Sequence, residues 1–82
     1  MEIDLHGLEL NEAMLEISYA LEECKTQDDH RLTIVHGYRG SGILKSYFKS
    51  RRFRRDVKRE GFDLNVVKDK NPGSTSFTVD FV

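Results

Sequence analysis

Two short stretches of this 82-residue chain carry side chains capable of proton chemistry, and both contain the same dipeptide, His-Gly. In "IDLHG", residues 3–7, Asp4 and His6 stand two apart; in "IVHGYRGSGILK", residues 34–45, His36 precedes three glycines. Residues two apart on a strand share a face. Asp4 can therefore hold the His6 imidazole in one tautomer or raise its pKa, giving an acid or base that works near neutral pH. Taken in isolation, an Asp-x-His pair reads better as the polar outer face of a surface strand. Adding His36 makes a set of two imidazoles and one carboxylate that resembles a metal site. With no fourth obvious ligand, no cofactor is firmly implied and a divalent metal is the lesser reading. His30, beside Asp28 and Asp29 in a turn, reads as solvated.

The glycines of the second stretch suggest an anion. Gly37, Gly40 and Gly42 ahead of a helix let backbone N–H groups approach a phosphate closely, with Tyr38, Arg39 and Ser41 between them. Arg39 and Lys45 tilt that loop toward phosphate. The glycine order matches neither the Walker A nor the dinucleotide fingerprint, and the same glycines also serve a tight turn with positive φ. Further on, "RRFRRDVKR" holds six bases and one acid in nine residues. With Lys45 and Lys49, Arg51, Arg52, Arg54 and Arg55 can follow a nucleic-acid backbone. Tyr38 can stack on an unpaired base, whereas Tyr47 and Phe48 read as core. The bland reading of the basic run is a solvated helix face with i,i+4 pairs.

These residues need elements to position them. "EIDLH" alternates as a short strand, with Ile3 and Leu5 on one side and Asp4 and His6 on the other. "LELNEAMLEISYALEECKTQ" reads as a helix with Asn11 as N-cap and Leu10 and Leu15 at the spacing of a hydrophobic staple. Met14, Ile17, Leu21 and Cys24, widened by Ala13 and Ala20, form its apolar stripe. "QDDH" is a turn, and "RLTIVHG" a strand nearly continuous in apolar character. "GILKSYFKSRRFRRDVKREG" is helical by composition, with a kink or restart expected near Ser50–Arg52 and Gly61 as C-cap. "FDLNVVKD" and "TSFTVDFV" are strands joined by a Pro-Gly turn in "KNPGS".

The order βαβαββ places the carboxyl ends of the first two strands at one sheet edge, because a strand–helix–strand unit in one sheet is parallel. Ligand crevices in open α/β sheets lie outside such ends. Neighbouring strands would set His6 and His36 about 5 Å apart, and one intervening strand about 10 Å. On this reading Asp4, His6 and His36 converge on one small ligand or phosphate.

The totals bound the answer. A chain of this length makes one domain, here residues 1–82, with a modest core. With 33% charged and 38% hydrophobic residues it suits a compact fold and not a disordered one. No apolar run is long enough to span a bilayer, and the amino terminus shows no secretory signal. The single cysteine cannot form an internal disulfide, which points to an intracellular, cytoplasmic protein. The chain reads equally as a stand-alone protein or a module of a longer one. A net charge of −1 hides an asymmetry: residues 1–30 carry nine acids and one base, the rest twelve bases and five acids. Such a dipole suits a polyanion only if the bases share a face.

Taken in order, "IDLHG", an amphipathic helix, "TIVHGYRGSGILK", a second helix and "NPGSTSFTVDF" resemble the Smr (small MutS-related) family over almost the whole chain. The family's first motif reads Leu-Asp-Leu-His-Gly, matched by Ile3 to Gly7 with one conservative change. Its second reads His-Gly-x-Gly-x-Gly before Leu and a basic residue. His36, Gly37, Leu44 and Lys45 hold those places around a loop one residue longer, the form of a branch of short stand-alone Smr-like proteins. The resemblance implies a two-layer α/β sandwich, a four-stranded mixed sheet with two helices, similar to the carboxyl-terminal domain of translation initiation factor three. It implies a nuclease that cleaves or nicks RNA or DNA, with stalled or collided ribosomes among the family's partners. It ties cleavage to Asp4 and His6 and nucleic-acid contact to His36, Gly37, Gly40 and Gly42. Read onto this chain, Asp4 would orient His6, and His6 and His36 would move protons. The alternatives are a non-catalytic module binding nucleic acid or ribonucleoprotein, and a protein-interaction domain.

Overall fold

A computed structural model describes residues 1–37, 42–68 and 71–82. The elements run β1 (Glu2–Asp4), α1 (Leu10–Gln27), β2 (Arg31–Val35), α2 (Ile43–Phe48), α3 (Arg51–Lys58), β3 (Phe62–Val67) and β4 (Ser74–Phe81). The four strands form one mixed sheet in the order β1-β2-β4-β3. β1 and β2 are parallel neighbours, with Asp4 opposite Val35, and β4 runs antiparallel to β2 and β3. The carboxyl ends of β1, β2 and β3 and the start of β4 therefore share one edge.

Alternation sorts the two faces. Leu32, Ile34, Leu64, Phe77 and Val79 are buried in a core with the helices, while Glu2, Asp4, Asn65, Thr78 and Asp80 are exposed on the other face. Helix α1 buries Ala13, Ile17, Ala20, Leu21 and Cys24, the stripe expected from its spacing. Its start differs from expectation. Glu9 is the N-cap, Asn11 lies inside the helix, and Leu15 is exposed. The Glu12 carboxylate accepts the Glu9 backbone N–H at 3.2 Å, satisfying a donor the helix leaves orphaned and placing an acid at its positive end.

The second helical stretch divides, so among the described residues the sheet carries three helices and not two. Ser50 is extended at φ −84° and ψ 157°. Its hydroxyl donates to the Tyr47 carbonyl at 2.6 Å and accepts the Phe53 N–H at 3.4 Å. Phe48 and Phe53, five residues apart, do not fall on one face of a continuous helix. The break at Ser50 lets both bury completely, with ring centroids 4.9 Å apart and Phe53 5.6 Å from Phe77.

Candidate functional site

The two His-Gly segments meet at the shared edge. The Leu5 N–H donates to the Val35 carbonyl at 2.7 Å, extending the β1–β2 pairing toward His6. Gly7 and Gly37 both have positive φ, 82° and 78°, where a side chain would be strained. A Cβ built on Gly37 would lie 3.4 Å from the Cβ of His6, so the two ends abut.

Asp4 and His6 are brought together as their spacing requires. The His6 ring Nδ1 lies 2.5 Å from Asp4 Oδ1, and the same oxygen accepts the His6 backbone N–H at 3.1 Å. Both side chains are more than half exposed. The His6 hydrogen bond holds the Asp4 carboxyl below its ordinary value, so Asp4 stays ionised and can only accept. Nδ1 must therefore carry the proton, and in the neutral ring the Nε2 lone pair is left to solvent. No partner of Nε2 is found among the described residues.

His36 does not join that pair. It continues the alternation of Leu32 and Ile34, and its ring turns into the helix-covered side with only 5% of its surface exposed. Nδ1 donates to the Gly37 carbonyl at 2.7 Å. Nε2, the acceptor in that tautomer, receives the Thr75 hydroxyl at 2.9 Å. Burial lowers its pKa, reinforced by Lys49 and Lys45 and opposed by the Gly37 carbonyl. The ring is neutral with both nitrogens engaged, so His36 shares a cleft with His6 but has no free nitrogen for the proton transfer expected of it.

What His36 does is anchor the edge. Its backbone N–H and that of Gly37 both donate to the Gly73 carbonyl, at 3.0 and 2.9 Å. Gly73 is held in turn by the Asn71 side chain, which accepts its N–H at 2.9 Å. The Asn-Pro-Gly turn and the His-Gly segment thus brace each other. His6, His36, Gly37 and Gly73 contribute to one cleft of about 410 Å³, and a second, of about 420 Å³, runs between Gly7, Glu9, His36, Gly42 and Lys45.

Gly42 is the N-cap residue of α2, Lys45 lies half-buried within it, and Lys49 closes it. Tyr38, Arg39, Gly40 and Ser41 lie outside the described residues, so the phosphate cradle expected there carries no geometry. Arg51, Arg52 and Arg55 are exposed and Arg54 half-buried on α3, but none lines either cleft. Among the described residues no three His, Cys, Asp or Glu side chains gather as a metal site. His30 is more engaged than expected: its Nδ1 donates to the Val79 carbonyl at 2.8 Å and Nε2 meets Asp28 at 2.9 Å.

The model of the Smr domain family matches residues 3–76, most of the chain. The chain belongs to the Smr family. The crystal structure of the Smr domain of Thermus thermophilus MutS2 shares its fold with a TM-score of 0.71 at 34% identity, covering 96% of both chains. By sequence, endonuclease MutS2 of Thermus thermophilus is 39% identical over 61 residues, 74% of this chain and 8% of that protein. Ribosome rescue factor SmrB of a Shewanella species is 44% identical over 43 residues, 52% of this chain and 24% of that protein. This Smr chain therefore spans a small part of the length of these curated relatives.

Proposed function

We propose that this Smr domain is a nucleic-acid endonuclease in which His6, oriented by Asp4, is the general base. The exposed Asp4–His6 pair, with Nε2 turned to solvent beside a cleft, carries the reading. The names of its relatives, an endonuclease and a ribosome rescue factor, support a nucleic-acid substrate, including RNA at ribosomes. On RNA, Nε2 would take the 2′-hydroxyl proton as O2′ bonds to phosphorus and the P–O5′ bond breaks, the leaving oxygen gaining a proton from solvent. On DNA the same nitrogen would activate a water. Lys45 supplies positive charge for the phosphate, and His36 holds the glycine segment in place without moving protons. A positioned general base contributes about 10²–10⁴-fold.

End-labelled RNA and DNA oligonucleotides, single- and double-stranded, provide the test. Asp4→Ala combined with His6→Ala should reduce cleavage at least about 100-fold while gel-shift affinity changes little. Both side chains are exposed, so folding is spared. A 2′,3′-cyclic phosphate on the product would identify the RNA route. Undiminished cutting by the double variant rules the dyad out. A wild-type shift with intact strands instead identifies a non-catalytic binding module.

A further inference from the structure

A third cleft at the same edge belongs to neither His-Gly segment. It has a volume of about 300 Å³ and is lined by Lys49, Val66, Val67, Lys68, Ser74 and Thr75. Val66, on the helix-side face of β3, is 47% exposed. Lys49 and Lys68 are both exposed, and among the described residues no acid lines the cleft. Thr75 is the residue whose hydroxyl donates to His36, and His36 lines both other clefts, one of them shared with His6, so the His36–Thr75 bond links this cleft to them.

The chemistry of this lining is that of a nucleotide site. Two ammonium groups flank an apolar floor, which suits a phosphate beside a sugar or base whose face is bare. Bases in a duplex are stacked and paired, so an apolar floor of this kind is useful only to an unpaired strand. The strand order sets the lateral separation. β1 and β3 are three strand spacings apart, about 14–15 Å. That distance is roughly four nucleotides at a stacked rise of about 3.4 Å per nucleotide, and fewer if the strand is stretched. The other direction, toward α1, passes Glu9 in the cleft beside Lys45, which disfavours a phosphate.

We propose that the Lys49–Lys68 cleft is a binding site for a nucleotide of an unpaired RNA or DNA strand that crosses the sheet edge from the Asp4–His6 pair. The inference rests on the nucleic-acid reading above and extends it to a substrate class, single-stranded, and to Lys68, Val66 and Val67. The strand lies across β1, β2, β4 and β3 in that order, with the reacting phosphate at His6 and a nucleotide up to about four further along held at β3.

The test is fluorescence anisotropy with labelled oligo-U and oligo-dT of two to eight nucleotides, at several salt concentrations, against wild type and Lys49→Gln/Lys68→Gln. The wild type should gain affinity steeply between two and about four nucleotides, and the double variant should lack that step and bind the longer oligomers roughly tenfold more weakly. If both lysines serve one phosphate, the slope of log affinity against log salt should fall by about 0.7. Lys25→Gln, in the last turn of α1, serves as the charge control and should leave the step intact. A double variant that binds like wild type with an unchanged salt slope overturns the cleft while leaving the nucleic-acid reading standing. No salt-dependent binding by the wild type overturns both.

Discussion

At the scale of single residues, three histidines on one small sheet have three separate environments. His6 is exposed and oriented by Asp4, His36 is buried and neutral, and His30 is exposed between a carbonyl and acids. The last two should couple folding to pH in opposite senses. His36 has its pKa lowered, first by burial, so the unfolded chain binds its proton more readily; stability is complete above the ordinary value of 6.5 and falls as pH drops below it toward the folded value. His30 has its pKa raised, first by its bond to the Val79 carbonyl, so its contribution is complete below 6.5 and fades as pH rises through the folded value. Imidazole NMR titration should therefore find one ring midpoint below 6.5 and another above, assignable through His30→Gln. If His36 titrates above 6.5, its ring is not a buried neutral acceptor. Replacing Thr75 by Val should cost about 1–3 kcal/mol in chemical denaturation, because a buried ring nitrogen loses its donor.

At the scale of elements, the break at Ser50 carries more weight than its length suggests. A continuous helix from residue 43 would leave either Phe48 or Phe53 outside the core. Ser50→Ala removes the acceptor for the Phe53 N–H and should lower unfolding free energy by about 0.5–2 kcal/mol, whereas Phe53→Ala, leaving a cavity against Phe48 and Phe77, should lower it by about 3–5 kcal/mol. Denaturant midpoints at constant slope would separate the two, and equal losses would contradict the assignment of Ser50 as a cap. The same stretch shows how much a sequence alone discloses. A restart near Ser50 is legible because Phe53 and Val57 leave the face set by Ile43, Leu44, Tyr47 and Phe48. The pairing of Asp4 with His6 is legible because two-residue spacing on a strand is a local rule. The burial of His36 is also local, in the alternation Leu32, Ile34, His36, but Val35 makes the run look uniformly apolar and hides it. The start of α1 at Glu9 is hidden because Asn11 is the better cap by residue type, while the Glu12 bond that decides it depends on how the chain leaves Gly7. The bracing of His36 and Gly37 by Gly73 joins positions far apart in sequence, and no local pattern announces it. Lys68 is invisible for the same reason, a lone cation at a strand end until the sheet sets it across from Lys49.

At the scale of the whole molecule, the segregated bases among the described residues do not share one face. β3 begins at the edge opposite the dyad, because β4 runs antiparallel to it and starts beside His36. Six residues of strand span about 17–20 Å, and α3 ends only four residues before Phe62, so Lys58 and Arg59 sit near the far edge. Among the described residues, Lys45 shares a cleft with Gly7 and His36 next to His6, Lys49 and Lys68 flank the cleft at β3, and the arginines of α3 lead down the flank of the sheet. A strand of about four nucleotides can occupy the edge alone; one of twenty can continue along the flank. Length should therefore separate the two sets of charges. Replacing Arg51, Arg52 and Arg55 together by Gln should leave affinity for a four-nucleotide oligomer within about twofold and weaken a twenty-nucleotide one, its salt slope falling by about 0.7 for each phosphate that is no longer neutralised. Anisotropy titrations at two lengths across a salt series decide it. An equal loss for both oligomers would place the α3 arginines at the edge itself, and the separation between a reacting edge and an electrostatic flank would have to be given up.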